Sequence, residues 1–127
     1  YRYPHHPLPI TESLTEDELL TREAARTWAR EVLAPKVRSM DEEARIDPSI
    51  LRDLFDQGFM GMEIPEDLGG SGLSFTAACL AIEELARVDP SVAVVADIQN
   101  TLINNAIRFW ASPQLQQKWL PLLASGR

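Results

Sequence analysis

Three dipeptides, Asp47-Pro48, Asp89-Pro90 and Ser112-Pro113, punctuate the chain with the same signal. In each, a short side chain able to cap free backbone amides precedes a proline whose fixed φ suits the first helical position. Each pair therefore marks the start of a helix. An earlier start lies at Thr15, where Glu18 follows at the three-residue spacing of a reciprocal capping box. No stretch alternates apolar and polar residues with period two, so no β-sheet is expected.

The starts divide the chain into helical segments. Leu20, Ala24, Ala25, Trp28, Val32 and Leu33 recur at three- and four-residue steps and predict a buried stripe. Glu18 and Arg22 form an i,i+4 pair on the outer face. Pro35 lacks an amide donor and should kink or break this helix, with residues 36–44 carrying on as a second segment. From Asp47 to Gly58 a helix presents Ile50, Leu51, Leu54 and Phe55, with Gly58 as a left-handed stop. The pattern is lost between Phe59 and Ser74, which reads as a loop. A third helix is expected from about Phe75 to Val88, a fourth from Pro90 to about Ala111, and a short fifth ending near Pro121. The predicted fold class is all-α: an antiparallel bundle of about five helices with one long Gly-rich loop. Residues 1–13 read as an extended lead-in and residues 14–127 as the folded domain.

Composition narrows the function classes. The 127 residues are 45% hydrophobic and 24% charged, as in an ordinary single globular domain. A net charge of -7 disfavours a nucleic-acid partner. No window approaches the run of ~18 apolar residues that a membrane-spanning helix requires. The single cysteine, Cys79, excludes an internal disulfide and a CxxC site, and fits an intracellular setting. Tyr1 to Ile10 has no apolar stretch of the kind a secretory signal carries. His5 and His6, the only histidines, point to opposite sides of an extended segment and find no second ligand cluster. Without an internal histidine, no Ser-His-Asp or Cys-His arrangement can be assembled in the core.

The remaining candidates are weighed on their surroundings. Gly69-Gly70-Ser71-Gly72 lacks the Lys-Ser/Thr of a phosphate loop and follows no strand, so it reads as a tight turn with positive φ at Gly70. Glu83 is one turn from Arg87 and pairs with it. Glu63, Glu66 and Asp67 look solvated, and no carboxylate stands out as a catalytic base. The fourth helix is the most informative. Its first half, from Val92 to Ile98, is apolar nearly all round, and Val95, Leu102, Ile103, Ala106 and Trp110 continue a predicted buried stripe. Gln99 lies on that stripe, where an unsatisfied buried amide costs ~1–3 kcal/mol. Either Gln99 bonds a neighbouring backbone group, or it closes one end of an apolar, ligand-filled slot. Asn100, Asn104 and Asn105 are assigned to solvent or caps.

Three stretches now come together: Met62-Glu63-Ile64-Pro65-Glu66-Asp67-Leu68-Gly69-Gly70-Ser71-Gly72, Glu83-Glu84-Leu85-Ala86-Arg87-Val88-Asp89, and Lys118-Trp119-Leu120-Pro121-Leu122-Leu123-Ala124-Ser125-Gly126. In that order they resemble the N-terminal helical domain of the acyl-CoA dehydrogenase family, over roughly residues 13–127. Ile98-Gln99-Asn100-Thr101-Leu102-Ile103-Asn104 looks most like the short/branched-chain branch of that family.

The resemblance implies a flavoprotein of three domains, of which the middle β-domain and the C-terminal helical domain are absent here. Such enzymes take a proton from Cα and a hydride from Cβ of an acyl-CoA, with FAD as hydride acceptor. An electron-transferring flavoprotein is the implied partner. The implied full-length enzyme is a homo-oligomer, mitochondrial in a eukaryote and cytoplasmic in a bacterium. The catalytic glutamate and most flavin contacts lie in the other domains, so no residue here takes a catalytic or cofactor role and the segment alone should be inactive. Gln99 matches a position near the bottom of the acyl-tail cavity, with Leu102 and Ile103 on the same wall. The glycine loop, the Glu83–Arg87 pair and the Pro121 turn carry over as scaffold. Two functions therefore stand as expectations. One is the N-terminal domain of a dehydrogenase for short or 2-methyl-branched acyl-CoA. The other is a free-standing, non-catalytic helical binding domain. The stop at Ser125-Gly126-Arg127, where the family enters its β-domain, favours the first.

Overall fold

The computed structural model describes residues 13–127, and all of their regular structure is helical. The lead-in up to residue 12, His5 and His6 lie outside the described residues. Helix α1 (Glu16–Trp28) runs through a π-helical turn (Ala29–Leu33) and a 3-10 turn (Ala34–Lys36) into α2 (Val37–Glu42). Helix α3 spans Pro48–Asp56, and the loop after it holds one 3-10 turn, Glu66–Leu68. Then come α4 (Phe75–Ala86) and α5 (Pro90–Asp97). A second π-helical turn (Ile98–Asn104) leads into α6 (Asn105–Trp110), and α7 (Pro113–Ser125) closes the chain. Counted as rods, 16–42, 48–56, 75–86, 90–110 and 113–125 are the five expected helices.

The predicted caps are present. Thr15 Oγ1 accepts from the Glu18 amide at 3.2 Å, and the Thr15 amide donates to Glu18 Oε2 at 2.9 Å. Asp47, Asp89 and Ser112 each accept from first-turn amides of α3, α5 and α7, and Ser74, where no cap was expected, does the same for α4. Gly58 ends the turn after α3 with φ 79°. Glu18 does not pair with Arg22, because its second oxygen takes a hydrogen bond from Ser74 Oγ at 2.9 Å. That contact ties the start of α1 to the start of α4.

Pro35 interrupts the α-ladder without breaking the rod. The widened turn before it lets the chain stay helical, with Ala34 N–H donating to Ala29 O. The stripe on α1 is narrower than expected. Ala25, Trp28, Ala29 and Leu33 are buried, but Leu20 is 61% exposed and Ala24 is exposed too. On an ideal helix these two lie roughly 140° and 100° from Ala25, off the seam that packs on α4. The last helix is longer than expected, since α7 continues through Pro121 to Ser125. The donor that Pro121 lacks would have served Gln117, an exposed residue. Leu120 and Ala124 hold both halves of α7 against Ile64.

The main core gathers α1, α3, α4, α5 and the start of the loop around Trp28, Ile50, Leu54, Met62, Leu85 and Val92. Trp28 meets the edge of Phe59 at 5.7 Å between ring centres. Each fully buried leucine or isoleucine contributes roughly 1.5–3 kcal/mol. One charge pair crosses this core. Arg26 Nε and Nη2 donate to the two oxygens of Glu84 at 3.1 and 2.8 Å, joining α1 to α4. The Glu84 side chain is 4% exposed. Arg26's hydrogen bonds hold its carboxyl below the usual glutamate range, with Arg87 and Arg22 adding to the effect. The Glu83–Arg87 pair forms as expected, at 2.7 Å.

A carboxyl lowered on folding adds stability that is complete above its unfolded pKa and disappears as pH falls through the folded value. Glu84→Gln should therefore lower stability at neutral pH by about 1–3 kcal/mol and flatten the acid side of the stability curve. Urea melts between pH 3 and 7 test this; parallel curves for the two proteins would show that Glu84 does not carry the acid sensitivity.

Candidate functional site

The rod from Pro90 to Trp110 decides the surface chemistry of the domain. Its inward face runs Val92, Ala93, Ala96, Asn100 and Asn104, all buried. The alanines let the rod approach its neighbours closely, and the two asparagines then meet the backbone of the loop. Asn100 Oδ1 accepts from Met62 N at 2.9 Å. Its Nδ2 donates to Phe59 O and Ala96 O, both at 2.8 Å. Asn104 Nδ2 donates to Met60 O at 2.8 Å. These asparagines, expected at solvent or caps, are each 1% exposed and are the polar centre of the domain. Their four-residue spacing in line with Ala96 was the available signal.

Gln99 sits at the edge of this network and is half-buried. Its Nε2 donates to Asn104 Oδ1 at 3.4 Å and to Leu123 O at 3.3 Å. The second acceptor lies in the last turn of α7, where carbonyls lack helical partners. Gln99 thus has the backbone partner that the simpler sequence reading asked for, and its Oε1 takes no hydrogen bond from the described residues.

Leu102 and Ile103 depart from the predicted buried stripe, being 63% and 42% exposed. Ala106 and Trp110 are exposed as well, and Val95 is only partly buried. The reason is the asparagine face: Leu102 follows Asn100 by two residues, roughly half a helical turn, and so points away from it. Val94, Ile98 and Leu102 instead form an outward apolar line at four-residue steps. Gln99, Leu102 and Ile103 are thus neighbours in sequence, with Gln99 at the boundary and the other two on the outer surface.

Glu63 also differs from expectation. Its side chain is 9% exposed, with Arg108 Nη1 at 3.3 Å and Asn105 Nδ2 donating at 3.2 Å. Glu66 and Asp67 are exposed, as expected. Gly70 does not have positive φ; Gly69 (84°) and Gly72 (61°) do. At Gly70 a Cβ would run into the backbone of Ile64, so the requirement there is close approach rather than a left-handed turn.

The described residues do not by themselves fit a flavin. Among them, the only buried side-chain N or O atom without a hydrogen-bond partner is Arg22 Nε, on α1. Asn100, Asn104, Glu84 and Asp89 are all committed to protein groups, leaving no converging donor set for a pyrophosphate or a ring system. A groove of about 710 Å³ runs between α2 and the α4–α5 turn, lined by Val37, Met40, Arg45, Ile46, Asp89 and Ser91 among others. None of Gln99, Leu102 and Ile103 borders it. Among the described residues no three His, Cys, Asp or Glu side chains gather as a metal-binding group, and no helix is long and apolar enough to cross a membrane.

An all-helical domain with this loop lashed to its fourth rod matches a known class of protein. Residues 15–127 match the family described as "Acyl-CoA dehydrogenase, N-terminal domain", and the chain belongs to that family. It is 44% identical over 121 residues to the mitochondrial short/branched chain specific acyl-CoA dehydrogenase of Bos taurus, covering 95% of this chain and 28% of that protein. It is 43% identical over 118 residues to the probable short/branched chain specific enzyme of Dictyostelium discoideum, covering 93% and 28%. Among solved structures, butyryl-CoA dehydrogenase from Megasphaera elsdenii superposes with a TM-score of 0.83 at 28% identity, covering 90% of this chain and 30% of that one. A glutaryl-CoA dehydrogenase from Mycobacterium smegmatis in complex with FADH2 gives 0.82 at 25%, covering 91% and 30%. The chain thus spans a little over a quarter of the length of the curated relatives it matches.

Two substitutions check the loop anchorage. Asn100→Ala leaves Met62 N and Phe59 O without partners and should cost ~2–4 kcal/mol. Gly70→Val should cost ~1–3 kcal/mol by forcing Ile64 to move. Thermal melts read both, and an unchanged Tm in either variant would show that the loop tolerates the change.

Proposed function

We propose that this domain is the N-terminal part of a longer FAD-dependent acyl-CoA dehydrogenase acting on short or 2-methyl-branched acyl-CoA, and that it supplies the acyl-tail end of the substrate pocket. The observation that carries this reading is the outward apolar line beside Gln99. Ile98, Leu102 and Ile103 leave apolar surface open to water, which favours any apolar group that covers it. A short hydrocarbon tail would meet methyl groups along the line and the Gln99 amide at its edge.

In this reading the residues of this chain bind and orient; they perform no bond-making step. Glu63 and Glu84 are engaged in ion pairs, so neither is free to take a proton. The α-proton acceptor and the flavin, which as hydride acceptor supplies the redox chemistry, would be held by the middle and C-terminal domains. An electron-transferring flavoprotein would be the next electron carrier, and the full-length chain a homo-oligomer. The relative from Bos taurus is named as mitochondrial, which supports the mitochondrial matrix in a eukaryote; a bacterial chain would be cytoplasmic.

The test uses the full-length enzyme. Gln99→Ala should raise the ratio of kcat/KM for longer over shorter straight-chain acyl-CoA by roughly tenfold, the scale of one extra methylene in an apolar pocket, with flavin content unchanged. An unaltered chain-length profile would remove Gln99 from the wall.

A further inference from the structure

We infer that Asn104 is a positioning residue for chain-length selectivity, acting through Gln99. The inference rests on the pocket reading above and adds to it a residue that does not touch substrate. Asn104 is 1% exposed and fixed at one end, where its Nδ2 donates to Met60 O at 2.8 Å. That bond fixes which way its amide is turned, so Oδ1 faces Gln99. Gln99 Nε2 donates to that Oδ1 and to Leu123 O. An amide nitrogen has two hydrogens, and both are taken here. The Gln99 amide is therefore held with its nitrogen inward, and its Oε1 is left with no donor among the described residues.

This orientation has a chemical consequence at the end of an apolar wall. A methylene placed against an unpaired carbonyl oxygen strips it of water and returns no hydrogen bond. A tail that stops short of Gln99 keeps the apolar contacts of Ile98, Leu102 and Ile103 without this penalty. A longer tail incurs it. Freed from Asn104, Gln99 keeps only the 3.3 Å bond to Leu123 O and can swing its oxygen towards water, so the limit on length relaxes. Asn100 supplies the control. It anchors the same loop through Phe59 and Met62 and makes no bond to Gln99. Loss of loop anchorage alone should therefore leave chain-length preference where it was.

The experiment measures kcat and KM over a series of straight-chain acyl-CoA for the full-length enzyme and its Gln99→Ala, Asn104→Ala and Asn100→Ala variants. Asn104→Ala should shift the kcat/KM ratio of longer over shorter substrates in the same direction as Gln99→Ala, by roughly threefold to tenfold, chiefly through KM. Asn100→Ala should lose stability and keep the wild-type profile. If Asn104→Ala fails to fold, Asn104→Leu fills a similar volume, offers Gln99 no acceptor and should shift the profile in the same direction. A folded Asn104→Leu with the wild-type profile beside a shifted Gln99→Ala overturns the inference. So does a folded Asn104→Ala with the wild-type profile beside a shifted Gln99→Ala, or a shift of equal size in Asn100→Ala. A wild-type profile in Gln99→Ala itself overturns the pocket reading on which the inference rests.

Discussion

Residues 59–62 are buried without belonging to a helix or a sheet, and the amides of Asn100 and Asn104 satisfy them. Buried backbone N–H and C=O groups left unpaired cost about 1–3 kcal/mol each. Met62 N, Phe59 O and Met60 O would be three such groups; one asparagine answers two of them and a second asparagine answers the third. With this segment held, Phe59 reaches Trp28 and Met62 enters the main core. The loop then folds back on the anchored strip. Ser71 N donates to Gly61 O at 3.0 Å, Gly72 N to Ile64 O at 2.9 Å, and Leu73 N to Met62 O at 2.8 Å. The closeness of Gly70 to Ile64, and with it the need for glycine there, follows from this return path.

The same asparagines decide which side of the fourth rod faces out. A periodicity argument assumes that the apolar side of a helix turns inward. Here the inward side ends in two amides, because the surface it meets is polar backbone. Leu102 and Ile103 are consequently exposed, although they carry the apolar character that led to the opposite expectation. The π-helical turn Ile98–Asn104 covers the very residues that make these contacts. Such turns are common at functional positions.

What could be read from the chain alone follows the range of the interactions. Thr15 with Glu18, Asp47 with Pro48, Gly58, Asp89 with Pro90, and Ser112 with Pro113 act within one turn, and each did what its local chemistry requires. The all-α class, the five rods and the family motifs were legible for that reason. Asn100 meets Phe59 across 41 positions, and Asn105 meets Glu63 across 42. No local rule reaches that far, so Glu63 looked solvated and the asparagines looked peripheral. Pro121 marks a subtler limit. The rule that proline removes a donor is correct, but its cost depends on the surroundings of the residue that loses it, and Gln117 is an exposed residue. Gln99 was legible in part: the helical wheel placed it near the inner face, while the partners that orient it depend on Asn104 and on the end of α7.

The energies at the edge of the fourth rod are well matched for discrimination. Each methylene moved from water onto an apolar wall gains ~0.8 kcal/mol, close to fourfold in affinity. Covering a carbonyl oxygen that has no donor costs ~1–3 kcal/mol on the scale of protein substitutions. In the proposed pocket, a tail growing along Ile98, Leu102 and Ile103 therefore gains steadily until it reaches Gln99. There one further methylene loses as much as, or more than, it gains. A wall of leucines alone would set a limit only by steric contact, and side chains that can rotate away make that limit soft. An amide pinned by a buried asparagine sets it by solvation, which does not relax when a neighbouring side chain moves. The proposed boundary is as firm as the hold on the amide, and that hold comes from Asn104, itself fixed on Met60 O, and from Leu123 O at the end of α7.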